Sequence, residues 1–277
     1  MRAMPATARS RPAGAPSMFA RALDDWSRAL RMTPLWTSLA LEDLRDRYRR
    51  TVLGLFWIVA SFALFVLVKI LVFGQLANVP TAEFGIFVTL GFGLWSYINA
   101  MVLDACTAYM QARPWILGTA TPYPVFLLQA VYRNLIVFAF ILLVMAAAMY
   151  WKHTPWQVQA FSVLPGLLVY VLTSLWLCAI LAPLCARHRD LYHTAQTGMR
   201  LISFATPILW MPQSSGRLAM ISQANPLSHF VAIVRDPLMY NRIPRDSWTV
   251  VLANNAVGLV AGILVYAWSR RRVAHWV

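Results

Sequence analysis

Of the 277 residues, 60% are hydrophobic and only 12% are charged, with a mean hydropathy of +0.58; an ordinary soluble domain is about 45–50% apolar and about 25% charged. So little polar surface cannot clothe a water-soluble globule, which excludes a pair of soluble domains, a disordered chain, a disulfide scaffold and an extracellular binding module, and makes a bilayer the expected solvent. The net charge of +14 would suggest nucleic acid in a soluble protein, but the arginine positions give it another reading.

The pattern predicts an all-α membrane protein with six transmembrane helices. Residues 1–20 begin with MRAMPATARSRPAGAPS, a Pro-, Ala- and Arg-rich run expected to be disordered. In residues 21–52, Trp36, Ala40, Leu44, Tyr48 and Val52 recur every four residues, with charges mostly on other faces. This period describes an amphipathic helix lying in the membrane surface before the chain turns into the bilayer. The first apolar run begins only at Val52, so no signal peptide is read.

The predicted spans are 53–73, 86–103, 129–150, 161–184, 191–211 and 248–268, each about the 20 residues a crossing helix needs. Between the second and third, Pro114 can open a short helix and Gly118 can close it, leaving Trp115, Ile116 and Leu117 as an apolar knob. Its dock is either a partner's groove or the lipid headgroup layer. Lys69 and Arg133 lie within spans, near enough to an interface to snorkel, which is preferred over a buried functional charge. The fifth span is strongly apolar only over Leu201–Met211, and its first half, LYHTAQTGMR, is polar. Lipid would expel such a helix unless its polar face met protein or water, so it is placed against a conduit. Gly258 and Gly262 form GxxxG in the sixth span.

Charge bias orients the spans. Residues 1–52 carry ten arginines, joined on the same side by Arg113, Arg187, Arg189, Arg200, Arg270, Arg271 and Arg272; the other side has Lys152, Arg217, Arg235, Arg242 and Arg245. The positive-inside rule puts both termini, including the 269–277 tail, in the cytoplasm, and the charge reflects topology rather than nucleic-acid binding. Trp57, Trp151, Trp156, Trp210, Trp248 and Trp268 fall at span ends, where an aromatic belt belongs.

No catalytic constellation emerges. There is no GxxxxGK[ST] loop, so this chain is not expected to hold ATP. The HRDL string at 188–191 has no glycine-rich loop or partner lysine beside it and reads as chance. His188, Asp190 and His193 do not share one helical face, so a basic interfacial loop is preferred to a metal site. Cys106, Cys178 and Cys185 form no CxxC pair and read as reduced packing residues.

The run LALEDLRDRYRRTVLGLFWIVASF (39–62), with Arg45, Arg47, Tyr48, Arg49, Leu53, Gly54 and Trp57, resembles the entry to the first span of ABC-2-type permeases that export bacterial polysaccharides. Arg189-Asp190 before the semi-polar span resembles that family's "RD", and Asn225-Pro226-Leu227 with His229 and Arg235 resembles its "NPL" stretch. The resemblance extends over residues 39–268. The long arginine-rich N-terminal tail and a less polar 110–121 segment depart from the pattern.

The resemblance implies a homodimer that binds two copies of a separate ATPase, which carries the ATP and magnesium, through the segment containing Arg113, Pro114, Trp115, Ile116 and Leu117. It also implies short re-entrant helices within 212–247, where proline-broken backbone at membrane depth would line a cavity. The implied cargo is lipid-linked O-antigen or capsule, moved across the bacterial inner membrane. Sugars would meet Tyr192, Gln196, Arg200 and Ser203 on one stripe of the fifth span, with Trp57 and Phe62 facing them; lipid or helix packing competes for each aromatic. Arg45, Arg47, Arg49 and Arg50, beside Tyr48, are suited to attract a lipid diphosphate, and plain positive-inside anchoring competes for them. Alternative functions are an ABC-2 permease for a small lipid or drug, and a membrane-embedded enzyme of glycan assembly.

Overall fold

The computed structural model describes residues 18–75, 79–151, 158–211 and 216–277, and among them it is helical, with no strand. The order is α1 (Met18–Arg31), α2 (Thr33–Tyr48), α3 (Phe56–Phe73), α4 (Thr81–Gln111), α5 (Arg113–Gly118), α6 (Pro124–Trp151), α7 (Val163–Arg187), α8 (Asp190–Ala205), α9 (Arg217–Ala224), α10 (Pro226–Tyr240), α11 (Arg245–Ser269) and α12 (Val273–Trp276), with a 3-10 turn at Val158–Ser162. Residues 1–17 of the expected disordered tail, and Lys152, Trp156 and Pro212, lie outside the described residues.

Five helical stretches are long and apolar enough to cross a membrane: Phe56–Phe73, Thr81–Gly118, Pro124–Trp151, Gln159–Arg187 and Arg245–Ser269. They make this a multi-pass membrane protein. Helix α4 is the axis, packed by α3, α6, α7, α8 and α10. Phe84 to Leu94 is almost continuously buried, which explains why α4 is apolar all round where a surface helix would have a stripe. Lipid is as apolar as leucine, so contact and interhelical hydrogen bonds hold such a bundle. The Tyr97 and Ser174 hydroxyls lie 2.7 Å apart, the Tyr170 hydroxyl donates to the Phe230 carbonyl at 2.9 Å, and Asn255 accepts from both Thr173 and Trp176. The Gly258 and Gly262 faces press on Trp176 of α7, so the GxxxG surface is spent within this chain.

Several expectations change. Residues 18–20 already belong to α1, and the single interface helix of 21–52 is two helices that break at Met32, where Thr33-Pro34 starts the second. The first span begins at Phe56, after a turn with Arg50 and Gly54 at positive φ. The continuous fifth span of 191–211 is replaced by the 16-residue α8, which stops at Thr206 with an extended ψ of 133°, the conformation Pro207 demands of its predecessor. Between α8 and α11 stand α9 and α10, neither long enough to cross alone.

The two charges within spans differ: Lys69 is half-buried and Arg133 is buried. Lys69 places its ammonium 4.5 and 4.7 Å from the Phe65 and Phe92 ring centres. Arg133 is 4% exposed, a buried cation rather than a snorkelling one.

One end of the bundle collects α1, α2, α5 and α12. Asp25 of α1 accepts from the Tyr266 hydroxyl at 3.0 Å and pairs with Arg270 at 2.6 Å. Burial opposes the Arg270 charge, but the hydrogen bond and field of Asp25 outweigh it and hold that pKa above the usual arginine value. Arg187, ending α7, lies over the Trp268 and Trp276 rings at the same end.

Candidate functional site

At this end three helices meet on Arg133. Asp43 of α2 lies 2.6 Å from one guanidinium nitrogen, and Asp104 of α4 lies 2.8 Å from another. Gln129 donates to Asp43 and Asn134 to Asp104, each at 2.8 Å, while the Arg133 Nε has no acceptor among the described residues. The planar fork of arginine lets one side chain bind carboxylates on two helices. A cleft of about 170 Å³ opens beside the cluster between α2, α4, α5 and α6, bordered by Glu42, Asp46, Gln111 and Trp115. Asp43 and Asp104 lie on different helices, and only the fold brings them to one cation.

Helix α5 forms the floor of this region. Proline at its start suits its opening, since no intrahelical bond is lost there. Its apolar knob divides in two. Ile116 is buried against the bundle core, whereas Trp115 is 45% and Leu117 56% exposed, with Arg113 and Pro114 also facing out. Ile116 therefore anchors the helix, and Trp115 and Leu117 are presented. Arg45, Arg47, Arg49 and Arg50 are all exposed nearby on the chain, with Tyr48 half-buried among them.

Helix α8 starts at this end, next to Arg187, and its continuation at Ile208 lies against Gly91 in the opposite half of α4. Met199 is its one buried side chain. Tyr192, Gln196 and Ser203 are half-buried beside it and Arg200 is exposed; the Ser203 hydroxyl is spent on the Arg200 carbonyl at 2.6 Å. Asp190, His193, Thr194 and Thr197 are exposed as well. Placed at membrane depth, a face this polar would need water or a second protein surface. His188, Asp190 and His193 are each exposed, and no metal-sized group of three His, Cys, Asp or Glu side chains occurs among the described residues.

The structure does not bring Phe62 and Trp57 together. Trp57 is exposed, whereas Phe62 is 7% exposed and stacked on Phe92 with ring centres 5.9 Å apart, packing α3 onto α4. Five residues apart on a helix place the two side chains on different faces.

The Asn225-Pro226-Leu227 stretch builds a joint at the other end of α8. Asn225 caps α10 by accepting from the Leu227 amide, and its own amide donates to Thr206 Oγ1 at 2.8 Å. His229 bonds both Ser247 and the Gln223 carbonyl. Arg235, 2% exposed, donates to the Pro207 carbonyl at 2.6 Å and lies over the Phe87 ring. Thr206 and Pro207 were missed in the sequence as part of this joint; the one signal for them was a proline inside an apolar run. Helix α10 starts beside Tyr97 and Met101, midway along α4, and ends near Phe84 and Phe87.

No protein-family profile matches the chain. The chain is similar to the O-antigen export system permease protein RfbA of Myxococcus xanthus, 27% identical over 233 residues that cover 82% of this chain and 88% of that protein. It is also similar to the protein of the same name from Klebsiella pneumoniae, 21% identical over 227 residues, 81% of this chain and 88% of the relative.

Proposed function

We propose that this chain, a homologue of O-antigen export permeases, is the channel-forming subunit of an ATP-driven exporter that moves lipid-linked O-antigen or capsular polysaccharide across the bacterial inner membrane. It works as a homodimer with two copies of a separate ATPase. The observation that carries this reading is the similarity to two export permeases over four-fifths of the chain. The polar face of α8 at membrane depth fits it.

The gathering of α1, α2, α5 and the C-terminus at one arginine-rich end supports placing that end, with both termini, in the cytoplasm. Helix α8 and the turn residues after it then make the sixth crossing. Helices α9 and α10 dip in from the outer side and return, with Asn225 at the bottom of the dip. In each cycle the ATPase holds ATP and magnesium and pushes on Trp115 and Leu117. Ile116 and the Arg133 cluster carry that displacement into α4, α6 and α2. The glycan slides along Tyr192, Gln196 and Arg200 and the same stripe of the second copy. Ring stacking and replaceable hydrogen bonds allow movement where tight binding would stall it. The exposed Arg45, Arg47, Arg49 and Arg50 draw the diphosphate of the lipid carrier to the entrance.

The test is co-purification with an ABC ATPase subunit co-expressed from the same genome. The wild-type pair is expected to form a complex whose ATP hydrolysis rises with lipid-linked glycan. Trp115→Ala combined with Leu117→Ala should abolish co-purification while the permease stays folded. Unchanged binding would remove α5 as the dock, and hydrolysis indifferent to glycan would remove the polysaccharide.

A further inference from the structure

A cleft of about 520 Å³ opens between α6, α7 and α10, in the half of the bundle away from the arginine-rich end. Met145 and Ala146 form one wall, Leu164 and Leu167 the second, and Val234 and Leu238 the third; among the described residues every side chain lining it is apolar. Its mouth faces sideways, because Ala146 and Leu164 are exposed and the neighbouring surface carries Leu143 at 64% and Leu168 at 69% exposure. Since α6 and α7 are both long and apolar enough to cross, the medium at that mouth is hydrocarbon.

Physical chemistry narrows the occupant. A buried water needs two to four polar partners, and the described walls offer no polar side chain. An empty void of this size is equally disfavoured, because its lining forfeits dispersion contacts on one side, and apolar cavities of only about 150 Å³ already take up small hydrocarbons. The volume and the sideways mouth fit a long, flexible, wholly apolar group supplied by the bilayer itself.

We propose that this cleft is a lipid site holding one acyl chain of a bilayer phospholipid. The chain wedges α10 against the α6–α7 wall. Val234 and Leu238 flank Arg235, whose guanidinium holds the Pro207 carbonyl, so the lipid supports the joint that ends α8. The proposal needs α6 and α7 in a bilayer and nothing about glycan export, so the two readings fail separately.

Native mass spectrometry of the full chain, purified from membranes and stripped with detergent, tests it. Wild type should retain one phospholipid per chain. Ala146→Trp, which fills the cleft, should lower that retention several-fold. Val257→Trp, on an exposed face of α11, should leave it unchanged. As a measurement that needs no variant, a phospholipid bearing a diazirine on its acyl chain should label residues 142–149 and 163–167 of the wild type more heavily than the exposed face of α11. Equal retention by wild type and Ala146→Trp overturns the proposal, as does even labelling of both faces. Wild type retaining no lipid also overturns it.

Discussion

Asp43 and Arg133 are ninety residues apart in the chain and 2.6 Å apart in space. The contact ties the interface helix α2 to α6, and Asp104 brings α4 to the same cation. Removing the guanidinium would strand two carboxylates, and breaking a buried pair costs about 3–5 kcal/mol. Arg133→Met is therefore expected to lower the thermal transition sharply and to raise amide hydrogen exchange throughout α2. Arg133→Lys keeps the charge without the fork and should fall between the two. Equal exchange in α2 for wild type and Arg133→Met would show that α2 does not depend on this anchor.

The polar face of α8 predicts a labelling pattern. The native Cys106, Cys178 and Cys185 are buried, so background reaction should be low. Tyr192→Cys, Gln196→Cys and Arg200→Cys should each react with a charged, water-soluble maleimide in at least one nucleotide state of the complex. Leu164→Cys, facing hydrocarbon, should not. Silence at all three α8 sites would remove the wet passage along this helix.

At the joint that ends α8, Asn225 and Thr206 share one hydrogen bond. Asn225→Ala also removes the α10 cap, worth about 1 kcal/mol, and Thr206→Val also removes the bond its hydroxyl donates to the Ile202 carbonyl at 2.8 Å. A double-mutant cycle on thermal stability should therefore show coupling of about 0.5–1.5 kcal/mol. Additive losses would mean that the two residues act independently.

Gly258→Ala gives a test of packing. A Cβ there would overlap the six-membered ring of Trp176, with the nearest ring atoms inside contact distance. Overpacking of this kind typically costs about 1–3 kcal/mol. The variant should unfold earlier, and Trp176→Leu in the same chain should recover part of the loss by opening the space. If Gly258→Ala melts like wild type, α7 and α11 are less closely apposed than described.

Much of the architecture was legible because transfer into a bilayer is summed locally. Five crossing helices, the short α5 with its proline start and the unusual polarity at 191–200 all come from consecutive residues. The break after α8 was half-legible: the polar start was evident, but an apolar run through Pro207 looked like a continuing helix until Asn225 and Arg235 were seen to hold its unwound end. The break at Met32 that makes α1 and α2 separate helices was not legible, because the four-residue period over 36–52 carries no sign of it. Asp25 of α1 gains meaning only beside Tyr266 and Arg270, some 240 residues later.

Residue order alone decided the solvent, the helical class and the arginine-rich end, since hydropathy and charge bias are properties of each segment by itself. The tertiary structure decided which of those segments' side chains work as pairs: Phe62 with Phe92, Gly258 with Trp176, Arg133 with two aspartates. In a bilayer, apolar helices gain little from merely meeting one another. Their arrangement is set by close fit and by a few buried polar contacts between distant residues, and a linear pattern holds no record of either.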